Sequence, residues 1–127
     1  MDIDIRANCG NSPKNEFLKE LNIAFARAAV DQVMDVVTDD FELKMVGNQL
    51  IKGKAALKAM FQQQQEIVME AISLHNIITH GKEGAVNGEF TMSDGKRYAF
   101  ADFYQFENVK AKKVSKITSY LIEIFQD

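Results

Sequence analysis

The chain has 127 residues, a formal net charge of −3 and 46% hydrophobic residues, the balance of a soluble globular protein large enough to bury a core. No basic run tracks a phosphate backbone, and no apolar run reaches the length of a membrane span, so neither nucleic acid nor membrane is an expected partner. Cys9 stands alone, which removes any need for an oxidising compartment, and Met1-Asp2-Ile3-Asp4 lacks the basic start of a secretion signal; the cytoplasm is the expected location.

Residues 1–11 show little periodicity and read as an N-terminal arm before a single domain over 12–127. Ser12-Pro13 marks a helix start, with Ser12 as cap and Pro13 where its missing N–H is not needed. Phe17, Leu21, Ala24, Phe25 and Ala28 then recur at helical spacing, to about Ala29. A short helix fits Asp31–Val37, and Thr38-Asp39-Asp40 breaks it. Phe41 to Val46 alternates as a half-buried strand, Gly47-Asn48 turns, and Gln49 to Lys52 returns. Gly53 opens a third helix with Ala56, Leu57, Met60, Phe61 and Val68 as its stripe, and Gln62 to Gln65 is its solvated face.

The remainder reads as strands. Ala71–Thr79 is one, and His80 to Gly84 is a loop in which His80 is a solvated turn residue. Ala85 to Phe106 is a hairpin around Ser93-Asp94-Gly95-Lys96, where Asp-Gly predicts a type I′ turn with positive φ at both central residues. Val114–Phe125 is a long last strand rich in Ile, Thr, Tyr and Leu. Helices segregated to one side of an antiparallel sheet make an α+β layer fold, and a strongly curved sheet leaves a cone-shaped cavity over the helices.

The candidate site is built on Asp102, an acid inside the aromatic run Tyr98 to Phe106. Alternation puts Tyr98, Phe100, Tyr104 and Phe106 on its side of the strand. A hairpin centred on Asp94-Gly95 sets Asn87 opposite Asp102 and Glu89 opposite Phe100, while the loop at His80 brings His75 beside Glu89. Ile117, Ser119, Leu121 and Glu123 of the last strand share that face. The expected cluster is thus His75, Asn87, Glu89 and Asp102, with Asp102 or Glu89 as acid or base and His75 as relay, or a structural hydrogen-bond network. No ligand spacing points to a metal, and no cofactor is expected. The methionines read as core filling, and Cys9 has no base beside it. The opposite face, with Val86, Gly88, Phe90, Met92, Ala99, Ala101, Phe103, Thr118, Tyr120, Ile122 and Ile124, is apolar enough to call for a second copy. A homodimer through Phe90, Ala101, Phe103, Tyr120 and Ile122 is expected.

Three stretches carry a family resemblance. Val36-Val37-Thr38-Asp39-Asp40-Phe41-Glu42-Leu43 is similar to the entry into the first strand of the NTF2-like superfamily, which includes SnoaL-like cyclases and ketosteroid isomerases. Gly47 to Leu57 resembles its short hairpin and third helix, and Asp94-Gly95-Lys96-Arg97 with Asp102-Phe103-Tyr104-Gln105-Phe106 resembles a later hairpin. The resemblance spans residues 15–125 and implies a cone of three N-terminal helices on a strongly curved antiparallel sheet (the cystatin-like arrangement), paired through the outer face. In the isomerases it implies a carboxylate base near Met45, a tyrosine donor near Leu21 and a protonated acid at Asp102. Only the last is present, so steroid isomerisation is not expected. The expected function is a pocket for a small, largely apolar ligand, lined also by Met45, Leu21 and Ser119, with isomerase, cyclase or lyase chemistry if any. The alternative is a non-catalytic binding module with a filled cone.

Overall fold

The computed structural model describes residues 1–63 and 66–125. Its elements in chain order are β1 (Asp2–Ile5), α1 (Pro13–Ala26), α2 (Val30–Met34), β2 (Val37–Met45), β3 (Gln49–Lys52), α3 (Lys54–Gln63), β4 (Met69–His80), β5 (Glu83–Met92), β6 (Arg97–Phe106) and β7 (Val114–Ile124). Seven strands form one curled sheet in the order β1-β4-β5-β6-β7-β2-β3. The long strands β4 to β7 are an antiparallel meander, as their short connections require. Two joints are parallel, β1 on β4 and β2 on β7, so the sheet is mixed and not wholly antiparallel. No tight turn links either pair, and nothing local forces them antiparallel.

Helix α1 starts where the Ser-Pro pair places it, with Ser12 Oγ accepting from the Asn15 N–H at 3.2 Å. It ends at Ala26 rather than Ala29, because Ala28 takes a left-handed φ of 54° and the Ala29 N–H turns back to the Ala24 carbonyl. Asn15 ties the helix to the sheet, accepting from Thr79 Oγ1 at 2.7 Å and donating to the Ile77 carbonyl at 3.3 Å. Leu18, Val33, Phe41, Leu57, Leu74 and Phe106 are fully buried between helices and sheet. That contiguous burial is the main stabilising term of the domain.

Four expectations change. The stretch read as an arm contains β1, which pairs Asp2 to Ile5 with Ala71 to Leu74. Thr38 to Asp40 do not break the chain but form the irregular start of β2, ahead of a register shift at Glu42. Val68 lies outside α3 (Lys54–Gln63), next to β4. Gln62 and Gln63 are exposed, while Gln64 and Gln65 lie outside the described residues. The His80 to Gly84 loop shrinks to Gly81-Lys82, since His80 and Glu83 already pair.

The hairpin between β5 and β6 matters most for the site. Of its loop residues only Gly95 has positive φ, at 89°, so the turn is not type I′. The Gly95 N–H donates to the Met92 carbonyl and the Met92 N–H to the Lys96 carbonyl, both at 2.9 Å. The loop is therefore three residues, Ser93-Asp94-Gly95, a tight turn followed by a left-handed glycine. A three-residue loop shifts the pairing by one relative to a two-residue loop. Val86 now faces Asp102, Asn87 faces Ala101, and Glu89 faces Ala99. With a side-chain period of two, that single step moves every β5 residue to the other face.

Candidate functional site

The concave side of the sheet, α1 and α3 enclose a cavity of about 860 Å³. Its floor is made by buried side chains, among them Asn22, Leu43, Phe61, Phe100, Tyr104 and Ile117. Its mouth lies at the exposed Gln62, Gln63, Glu66, Ile67, Asp94 and Lys96. Phe25, Met45, Met60, Phe90, Met92 and Tyr98 form the walls between them. Phe90 stacks on Tyr98 with ring centroids 5.2 Å apart, and lies 5.9 Å from Phe100. The surroundings are thus mostly apolar and aromatic.

Of the residues expected in the cone, Asp102, Tyr98, Phe100, Tyr104, Met45 and Ser119 line this cavity. His75, Asn87 and Glu89 do not. The three-residue hairpin loop places Asn87 and Glu89 on the convex face, and a bulge between Leu74 and Asn76 leaves His75 there too. On that face His75 Nε2 is 3.8 Å from Glu89 Oε2, and Arg97 donates from Nη2 to Glu89 Oε1 at 3.3 Å. Asn76 Nδ2 donates to Asn87 Oδ1 at 3.0 Å. His75 and Glu89 therefore share neither a proton path nor a metal with Asp102, from which the sheet separates them. Among the described residues no group of three His, Cys, Asp or Glu is placed to hold a metal ion.

Leu21 is also displaced. It is buried against a separate space of about 70 Å³ with Phe17, Ala24 and Val36. The next residue, Asn22, reaches the cavity instead. The same step of parity removes Phe90 from the outer face and puts it in the wall, with Met92 beside it. Asn22 was detectable in principle. A polar residue one turn after Leu18, four positions on and inside an apolar helical stripe, either meets a polar partner or costs energy.

Asn22 does meet one. Its Nδ2 donates to the Leu18 carbonyl at 2.8 Å and to the Tyr104 hydroxyl at 2.9 Å. A backbone carbonyl only accepts, so the amide orientation is fixed, and both Asn22 hydrogens are spent. The Tyr104 hydroxyl, already accepting, sends its own hydrogen to Asp102 Oδ2 at 3.4 Å. Burial, and then the charge of Asp102, push the Tyr104 pKa well above its ordinary value, so it stays a donor. Asp102 stands opposite Ser119 on β7. Its Oδ1 is buried without a hydrogen-bond partner among the described residues. Burial raises the Asp102 pKa to about 6, against the pull of the Ser119 and Tyr104 hydroxyls, which favour the ionised form.

The family model for the SnoaL-like domain matches residues 18–114. No match was found among the curated proteins. Among solved structures, an NTF2-like protein of unknown function from Cytophaga hutchinsonii is 23% identical, with a TM-score of 0.65 over 86% of this chain and 99% of that one. A second NTF2-like protein of unknown function, from Burkholderia xenovorans, is 18% identical, with a TM-score of 0.76 over 94% and 91%. An LEH-like epoxide hydrolase from M. tuberculosis is 13% identical, with a TM-score of 0.74 over 86% and 78%. At these identities the structural likeness speaks to the fold alone. The family match covers most of the chain, including α1 from Leu18 onward, the floor residues Asn22 to Tyr104 and the β5–β6 hairpin, and with that breadth the chain belongs to the SnoaL-like domain family, on the NTF2-like fold.

Proposed function

We propose that this chain binds a small, largely apolar molecule in its cone, with Asp102 as the polar anchor. What carries the reading is the juxtaposition of a cavity of about 860 Å³, walled by aromatic and methionine side chains, with one buried carboxyl that has an unpartnered oxygen. A cone evolved only as core would fill that space, since interiors pack without voids of this size. A carboxyl that titrates near neutrality also suits transfer of one proton to or from a bound molecule, the chemistry of isomerases, cyclases and lyases. The cavity offers no second carboxylate on its floor, and Met45 stands where the resemblance to steroid isomerases calls for a base. Steroid isomerisation is therefore not part of the proposal.

The test is a ligand screen by thermal shift on the natural protein and on Asp102→Asn. Compounds that raise the melting temperature of the first and not of the second are expected. Identical profiles for the two proteins would remove Asp102 from the site.

We also propose that the convex face is covered by a second copy. Ile78, Phe103, Tyr120 and Ile122 stand on that face with 66%, 54%, 46% and 70% of their surface exposed. Phe103 and Tyr120 already pack edge to face, 6.0 Å apart. A two-fold axis through such a patch buries it against itself. Phe103→Glu is expected to give a monomer by light scattering where the natural protein gives a dimer. An unchanged mass would show that this face is free.

A further inference from the structure

We infer that the molecule bound in the cone carries a protonated amine, or an equivalent cationic donor, seated against Asp102. The inference rests on the reading of the cone as a ligand site and concerns the chemistry of its floor.

The hydrogen bonds of that floor run in one direction. Asn22 spends both amide hydrogens, on Leu18 and Tyr104, and has only its carbonyl oxygen left to offer. Tyr104 spends its hydrogen on Asp102 Oδ2. Ser119 faces Asp102 across the β6–β7 pair, and its hydroxyl favours the ionised carboxyl. Neither Asn22 nor Tyr104 keeps a hydrogen for a guest, and the ionised carboxyl donates nothing. What the floor holds for a guest is acceptors, with Asp102 among the lining residues and its buried Oδ1 lacking a hydrogen-bond partner. A ketone or ester oxygen would meet acceptors there, which is repulsive. An ammonium would meet a carboxylate whose charge burial has left poorly compensated.

The rest of the cavity agrees in sign. Its charged lining is Asp102, Glu66 and Asp94 against Lys96, three carboxyl groups to one ammonium. Phe25, Phe61, Phe90, Tyr98 and Phe100 supply ring faces around the guest, and these attract cations as well as apolar surface. The titratable groups that face Asp102 are Tyr98 and Tyr104 on its own strand. β7 adds Glu123 opposite Tyr98, outside the lining, and Glu66, Asp94 and Lys96 stand at the mouth. The surfaces that α1, α3, β2 and β5 turn to the cavity carry asparagine and apolar residues at this depth.

The two guest classes have opposite pH dependences. An ammonium needs the carboxylate, so its affinity falls as pH drops through about 6. A carbonyl needs the neutral acid as donor, so its affinity rises over the same window. The probes are three near-isosteric compounds, adamantylmethylamine, adamantyl methyl ketone and ethyladamantane, titrated calorimetrically and by the methyl NMR signals of Met45, Met60 and Met92. The amine is expected to bind about tenfold more tightly than the ketone at about pH 7.5, and to lose about tenfold by about pH 5. Asp102→Asn is expected to erase its advantage. The pH profile of the unaltered protein gives the answer even if that variant does not fold. A ketone that binds as well as the amine at the higher pH, or an amine affinity flat across the window, overturns the inference while leaving the cavity as a site. If none of the three moves the methionine signals, the cavity reading fails and the inference with it.

Discussion

The two faces of the β5–β6 hairpin are built from the same twenty residues and differ in almost every property. The concave face gathers Phe90, Tyr98, Phe100, Asp102 and Tyr104, where a single acid sits in an apolar wall and its pKa is driven up to about 6. The convex face gathers Glu89 and Arg97 with His75 of β4, where an acid has cationic company and partial access to water. Both carboxyls look alike in the sequence, each embedded in an alternating strand. What separates them is parity, and one extra loop residue at the hairpin decides it. Desolvation without a counter-charge sets the concave acid's titration apart. The convex acid keeps partial access to water and pairs with Arg97.

The largest effect is expected where the two faces are held in register. Gly88 sits between Leu74 and Phe100, beside the bulge that leaves His75 on the convex face. A Cβ at Gly88 would run into the backbone carbonyl of Ser73, which has no rotamer by which to retreat. Gly88→Ala is expected to cost about 3 kcal/mol or more, or to prevent folding, as read by denaturant unfolding. A loss below about 1 kcal/mol would mean that the bulge can slide, and that the assignment of residues to faces is not rigid.

Next comes the acid itself. Its folded pKa of about 6 lies above the unfolded value of 3.8, so between those values the native state holds more protons than the unfolded one. Stability must then fall as pH rises through that window and stay lower above it. The full difference corresponds to at most about 3 kcal/mol. Comparing the natural protein with Asp102→Asn cancels the other carboxyls. The variant is expected to gain on the natural protein from about pH 4 to about pH 7, by up to that amount. A constant offset between the two curves would show that Asp102 is not strained by burial.

The sequence showed most of the elements and missed what was non-local or hung on a single residue. The Ser12-Pro13 start of α1 and the short return strand β3 were local signals and could be read directly. Strand β1 could not. It has four residues, and its reason for being a strand is the edge of β4, reached across more than sixty positions of chain. Asp102, Tyr98, Phe100 and Tyr104 could be placed together because alternation within one strand needs no partner. Asn87, Glu89 and Phe90 could not, because their face depends on the turn. Asp-Gly reads equally well as the centre of a two-residue loop or as the end of a three-residue one, and those readings differ by one residue. The exchange of Leu21 for Asn22 is the helical counterpart, where an apolar stripe wide enough to serve two neighbours hides which residue points at the sheet and which at the cavity.

The smallest effect is expected on the convex side, and its smallness sharpens the contrast. Glu89 lies 3.3 Å from Arg97 and 3.8 Å from His75, with 38% of its side chain exposed. Water and salt screen such pairs, and holding long side chains in place offsets much of the attraction. Glu89→Gln is expected to cost about 0.5 kcal/mol or less, and less still in high salt. More telling is what it should leave alone. A strand backbone lies between Glu89 and Asp102, and residue parity turns the two side chains to opposite faces. The pH step in stability assigned to Asp102 should therefore keep its midpoint in Glu89→Gln, and the cavity probes should bind with unchanged affinity. If the midpoint moves by much more than solvent-screened charges across a sheet allow, the two acids are one coupled system. The hairpin then does not separate a chemical face from a structural one.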